Sequence, residues 1–157
     1  MRKRILAQVQ QTLPPPDQDW LNVEGLAEVE ITSEDAAHPI ESALLPDRAS
    51  GWRAAGPGKQ AIRLFFNHPQ RLRRIWMNFV EPAAERTQEY VVRWSPDSGQ
   101  SFQEIVRQQW NFSPQGTTNE TEDHYVDLQA VTVLELSIIP DISGGSAFAS
   151  LAQLRLA

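Results

Sequence analysis

The sequence contains no cysteine. This excludes a disulfide scaffold, a thiolate nucleophile and every zinc site built on thiolates, so the hydrophobic core must hold the fold. Long apolar runs are missing too, and nothing approaches the roughly 18 residues that a membrane helix requires. Arg2-Lys3-Arg4 has the charge of a signal-peptide front, but Gln8, Gln10 and Gln11 interrupt it before an apolar segment develops. The expectation is a soluble, cytoplasmic protein. Phosphate-cradling loops of the GxxxxGK[ST] or GxGxxG type do not occur. His38, His68 and His124 stand apart in sequence and form neither an HxH nor an HExxH pair, so no metal site is signalled. Ser50 and Ser95 lack the G-x-S-x-G elbow of a serine hydrolase. Glu104, Glu120 and Glu122 supply carboxylates for a glycosidase, yet nothing in their spacing pairs them.

Basic residues are also in short supply. Fourteen Lys and Arg face 20 Asp and Glu, a net charge of −6, which disfavours binding to nucleic acid or to anionic membranes. The balance is uneven along the chain. Residues 1–47 hold three bases and nine acids, residues 48–86 hold eight bases and two acids, and residues 87–157 hold three bases and nine acids. The basic middle either pairs with acidic strands beside it or forms a surface for an anionic ligand.

What is present is the material for one domain. The length of 157 residues and a hydrophobic content of 41% suit a single globular unit. Pro14-Pro15-Pro16 separates an N-terminal arm, residues 1–22, from a body spanning 23–157; the arm is either a short helix or disordered. Ala27–Ile31 alternates apolar and acidic residues as a half-buried strand does. Gly51–Gly58 reads as a glycine-rich connection. Strands follow at 60–66 and 72–80, with a turn at Asn67-His68-Pro69-Gln70 between them. Tyr90–Trp94 and a return strand from Ser101, extending to Val106 or as far as Phe112, form a hairpin around Pro96-Asp97-Ser98-Gly99. Residues 113–121 form a long polar loop, and further strands lie at 124–128, 131–139 and 147–156. About eight short strands and no long amphipathic helix predict an all-β antiparallel β-sandwich.

Tryptophan is plentiful, with five in the chain. Its large face fills sandwich cores and also stacks on sugar rings. Trp76 and Trp94 lie inside predicted strands and read as sheet or core residues, while Trp20 pins the segment that enters the body. Trp52 lies in the glycine-rich connection and Trp110 just before the long polar loop. Together with Arg53, Arg86 and Asn111 they form the candidate ligand-binding set. Arg offers a rigid fork of donors, Asn both a donor and an acceptor, and Trp an apolar face. No catalytic residue is assigned. Glu120, Glu122, Asp123 and Asp127 carry oxygen ligands suited to calcium, but without an EF-hand pattern they read as a solvated loop.

The order of several segments resembles the discoidin, or coagulation-factor C-type, family. These are His38–Leu44, Gly51-Trp52-Arg53-Ala54, Gln60–Leu64, and Arg86 followed by Tyr90–Ser95 and Asp97–Phe102. The resemblance implies a galactose-binding-domain-like jelly roll and a noncatalytic recognition module. Ligands across such families range from carbohydrates to lipids and proteins, and in the carbohydrate-binding relatives the site lies in loops at one end of the sandwich, often with a structural calcium nearby; the Trp, Arg and Asn set makes a carbohydrate or similar polar ligand the first expectation here. A protein-interaction module or assembly subunit is the alternative, and the same residues would serve it. The sequence sets no oligomeric state.

Overall fold

The computed structural model describes residues 1, 12–48 and 50–157. Its elements are helix α1 (Val23–Leu26), β1 (Ala27–Ile31), helix α2 (Glu41–Leu44), β2 (Trp52–Pro57), β3 (Gln60–Val80), β4 (Arg86–Ser95), β5 (Gln103–Phe112), β6 (Asn119–Ile139), β7 (Phe148–Leu151) and β8 (Gln153–Leu156). All strand pairs are antiparallel, as the sequence predicted. Among the described residues, no helix is long and apolar enough to cross a membrane.

Two strands build both layers of the sandwich. The first half of β3 and the second half of β6 pair within the order β1-β3-β6-β4-β5. Beyond register shifts between Phe65 and Arg74, β3 continues against the first half of β6 and takes β8 on its other side. The predicted turn at 67–70 is therefore a bend inside one 21-residue strand. Proline, which cannot donate to a ladder, is tolerated at such an irregularity. The predicted strands 124–128 and 131–139 likewise merge into β6, which begins inside the expected 113–121 loop. Ile62, Leu64, Val92, Leu134 and Leu136 from one layer meet Ile75, Met77 and Leu154 from the other around a common internal void. Burial of these side chains is the main force joining the layers.

The outer face of the larger layer explains the uneven charge. Cross-strand register aligns Glu30, Arg63, Glu135, Arg93 and Glu104 in one row of alternating sign across five strands. Arg63 and Arg93 both donate to the buried Glu135 carboxylate, and both guanidiniums lie over the Phe102 ring. Opposite charges directly across a sheet stabilise the pairing. Arg71 and Arg74 similarly pair with Asp127 and Asp123 on β6. Much of the basic middle is therefore spent on neighbouring carboxylates.

Residues 12–22 of the arm lie on the outer face of the smaller layer. Gln153 Nε2 donates to Thr12 O, Leu21 N donates to Leu156 O at 2.8 Å, and Arg74 lies between Trp20 and Tyr125 at 5.3 and 4.7 Å from their ring centroids. Trp20 thus does pin the entering segment. The helix-or-disorder alternative for the rest of the arm concerns residues 2–11, outside the described residues. At the β4–β5 turn, hydrogen bonds from Ser101 and Ser95 hold the Asp97 carboxyl down to about 2. The turn's anchor therefore stays charged until strongly acidic pH.

Candidate functional site

One rim of the sandwich contains an open cavity of about 600 Å³. Its walls come from the start of β2, the 81–86 segment that links β3 to the first residue of β4, and the 140–147 connection between β6 and β7. Contrary to the expected loop at 51–58, β2 is a strand that pairs with β7 and forms a two-stranded ribbon. Two of the three glycines in that segment, Gly51 and Gly58, stand at its ends, and Gly56 lies within the strand. Gly51 has φ +70°, and a Cβ there would meet Leu151 O at 2.9 Å, so only glycine lets the chain enter the ribbon at this distance.

The ribbon sets one side of the cavity. Arg53 pairs with Ser150, its N–H donates to His38 O, and its carbonyl accepts from Asp35 N. These bonds draw the 35–38 turn against β2. His38 Nδ1 lies 3.3 Å from Ser50 O. The Arg53 guanidinium, exposed at the mouth, lies 5.3 Å from the centroid of Phe148, and no carboxylate among the described residues pairs with it. Cation and aromatic ring thus stand together on an open wall.

The opposite side is shaped by two loops tied to one arginine. Arg86 Nε donates to Glu81 Oε1 at 2.9 Å, while Nη1 donates to Pro140 O at 2.7 Å and to Gln88 Oε1 at 3.3 Å. Its guanidinium also lies over Phe112. Burial works against the Glu81 charge, but Arg86 and the Ala83 and Ala84 N–H groups outweigh it and hold the carboxyl below its usual range. In the 140–147 loop, Asp141 accepts from Ser143 Oγ and N, which lower its pKa, and Ile142 N donates to Thr87 O. Gly144 and Gly145 carry the loop onward at positive φ.

Three of the five expected ligand residues converge here, in different roles. Arg53 presents its side chain to the opening. Trp52 is 1% exposed, and its Nε1 donates to Ser33 O at 3.0 Å, so it forms the packed backing of the wall. The Arg86 side chain is also only 1% exposed, and its Nε and Nη1 donors are committed to Glu81, Pro140 and Gln88. Trp110 and Asn111 do not line the cavity. They sit on edge strand β5, paired with Gln88 and Thr87 across β4. Trp110 packs against the core, and Asn111 Oδ1 accepts from Thr87 Oγ1 at 2.6 Å.

His38, Phe148, Glu85 and Asp141 also line the cavity and were not among the expected contacts. Phe148 was legible only as an apolar position in a strand; nothing in the sequence placed it beside Arg53. Among the described residues, no group of three or more His, Asp or Glu side chains is arranged to hold a metal ion. The four acids read as a solvated, calcium-competent loop belong instead to strand β6. Strand alternation separates them: Asp123 and Asp127 pair with Arg74 and Arg71, while Glu120 is buried between the layers.

No protein-family model matches the chain, and no curated protein matches it in sequence. Solved structures do match. The CBM32 module of AlyQ, in complex with 4,5-unsaturated mannuronic acid, is 13% identical with a TM-score of 0.64, covering 89% of this chain and 98% of that one. The family 32 carbohydrate-binding module of C. perfringens NanJ, in complex with galactose, is 14% identical with a TM-score of 0.64, covering 87% and 96%. Reduced XRCC1 bound to the DNA polymerase β catalytic domain is 14% identical with a TM-score of 0.61, covering 84% and 95%. The fold is the galactose-binding-like β-sandwich.

Proposed function

We propose that this chain is a noncatalytic carbohydrate-binding module whose sugar site is the cavity between the β2–β7 ribbon and the 81–86 and 140–147 loops. The observation that carries the reading is the open wall formed by Arg53 over Phe148, facing loops with backbone and side-chain polar groups. A sugar offers an apolar ring face and a perimeter of hydroxyls. Phe148 suits the first, while Arg53, His38 and Glu85 suit the second as donors and acceptors. A cavity of about 600 Å³ fits one or two sugar rings. The similar modules of AlyQ and NanJ, solved with sugars, support the same reading.

The carboxylates of the cavity also favour binding over catalysis. Of its three carboxylates, Glu81 is committed to Arg86 and Asp141 to Ser143, which leaves Glu85 alone for ligand contact and no committed acid–base pair. A protein ligand is the second reading, supported by the same fold in the XRCC1 complex. A concave cavity with convergent polar groups favours the sugar over a flat protein surface. A glycan array that counts only binding competed by free sugar tests the proposal. Arg53→Ala and Phe148→Ala are each expected to weaken a competed hit about tenfold or more, with the melting temperature within about 3 °C of the parent. Undiminished binding by both variants would remove the cavity from the reading.

A further inference from the structure

Behind the cavity lies a polar seam that sugar contact does not explain. Gln88 is fully buried; its Oε1 accepts from Arg86 Nη1 and its Nε2 donates to Glu120 Oε1 at 3.4 Å. Glu120 is 1% exposed, and its second oxygen, Oε2, has no hydrogen-bond partner. A buried carboxylate with an unpaired oxygen is costly. The cost disappears if Glu120 is a neutral acid, because its O–H can then donate to the neighbouring Glu122 carboxylate.

The groups around Glu120 are mostly defined by register. From β6 come Glu122 and His124, and from β4 come Arg86 and Tyr90. Tyr90 Oη lies 2.9 Å from His124 Nε2, which is 3.5 Å from Glu122 Oε2. Strands β3 and β5 present Phe79, Trp110 and Phe112, none of them charged. Burial first, and then Glu122, push the Glu120 carboxyl up to about 8, while Arg86 and Gln88 pull it down.

We infer that Glu120 is a positioning residue for the cavity, and that its proton, relayed through Gln88 and Arg86, sets how firmly the 81–86 and 140–147 loops are held. With Glu120 neutral, Arg86 serves Glu81 and Pro140 without competition. Ionised Glu120 repels Glu122 and draws the Gln88 amide and the Arg86 guanidinium toward itself, loosening the ties to Glu81 and Pro140. The ligand consequence rests on the cavity being the sugar site, whereas the loop response does not.

The absence of native cysteine permits a direct test. A trifluoromethyl label on Ala84→Cys, followed by fluorine NMR from pH 6 to 10, is expected to shift with a midpoint of about 8. The transition should vanish in Glu120→Gln and in Gln88→Met, and persist in His124→Gln. The folded state keeps the Glu120 proton where the unfolded chain has lost it, so stability should fall as pH rises from the ordinary carboxylate range to about 8 and then level off. Glu120→Gln should flatten that decline, a response that confirms a folded variant with the titrating group removed. A label that does not respond, or a transition that survives Glu120→Gln or Gln88→Met, would overturn the relay. Retention on immobilised galactose at pH 6.5 and 9.5 separates the two readings. Weaker retention at 9.5 in the parent and not in Glu120→Gln supports both. A label that titrates on protein that no sugar competes for leaves the relay standing and removes the sugar site.

Discussion

Trp52→Ala is expected to lower the unfolding free energy by about 3–5 kcal/mol, the usual cost of truncating a fully buried aromatic residue. Trp52 is 1% exposed and starts the ribbon that carries Arg53. Its removal leaves a cavity behind the wall and strips Ser33 O of its indole donor. The melting temperature should fall by roughly 10 °C, and any loss of ligand binding should follow the loss of fold. A variant that binds no ligand but melts with the parent would instead make Trp52 a direct contact. Denaturant unfolding of both proteins, with the slope checked for two-state behaviour, distinguishes these results.

Arg86→Ala is expected to cost a similar amount, about 3–5 kcal/mol, because it breaks a buried ion pair and leaves its partners uncompensated. Glu81 loses its counter-charge, Pro140 O and Gln88 Oε1 lose their donor, and the two loops lose their common tie. The effect should depend on Glu81. In a Glu81→Gln background the same substitution should cost measurably less, since no unpaired carboxylate remains. Equal costs in both backgrounds would show that Arg86 acts through its bonds to Pro140 and Gln88 and its packing over Phe112 rather than through the pair. Arg86→Lys keeps the charge but cannot reproduce the fork that reaches two loops, so it should recover only part of the stability.

The sandwich was legible in this sequence because alternation reports burial directly. Ile62, Leu64 and Phe66 all face the core, as do Leu134, Leu136 and Ile138. Continuity between layers was not legible. Asn67-His68-Pro69-Gln70 has the composition of a turn, and local chemistry cannot distinguish a reversal from a bend at which a strand changes layers. Glycine misled in the opposite direction, since Gly51 and Gly58 flank a strand rather than fill a loop.

The candidate site was half legible for a related reason. Sequence position brought Trp52, Arg53 and Arg86 to the rim that holds the cavity, but exposure is a tertiary property. Arg86 is a good ligand fork in isolation; in the fold, Glu81, Gln88 and Pro140 use its donors. Trp110 and Asn111 were placed by their nearness to a polar loop, and β5 takes them to the far side of β4. Phe148, from the end of the chain, reaches Arg53 only through the β2–β7 pairing, a contact about 95 residues distant in sequence that no local pattern announces.

If the cavity is a sugar site, amide chemical-shift mapping will locate the bound sugar there. The labelled protein would be titrated with galactose and, separately, with an unsaturated uronic acid sugar, the two kinds of ligand seen in similar modules. Saturable shifts are expected for at least one of them, clustered at His38, Arg53, residues 81–86 and residues 141–148, and lost in Phe148→Ala. Saturable shifts clustered around Trp110 and Asn111, or none from either sugar at millimolar concentration, would contradict a sugar site in the cavity.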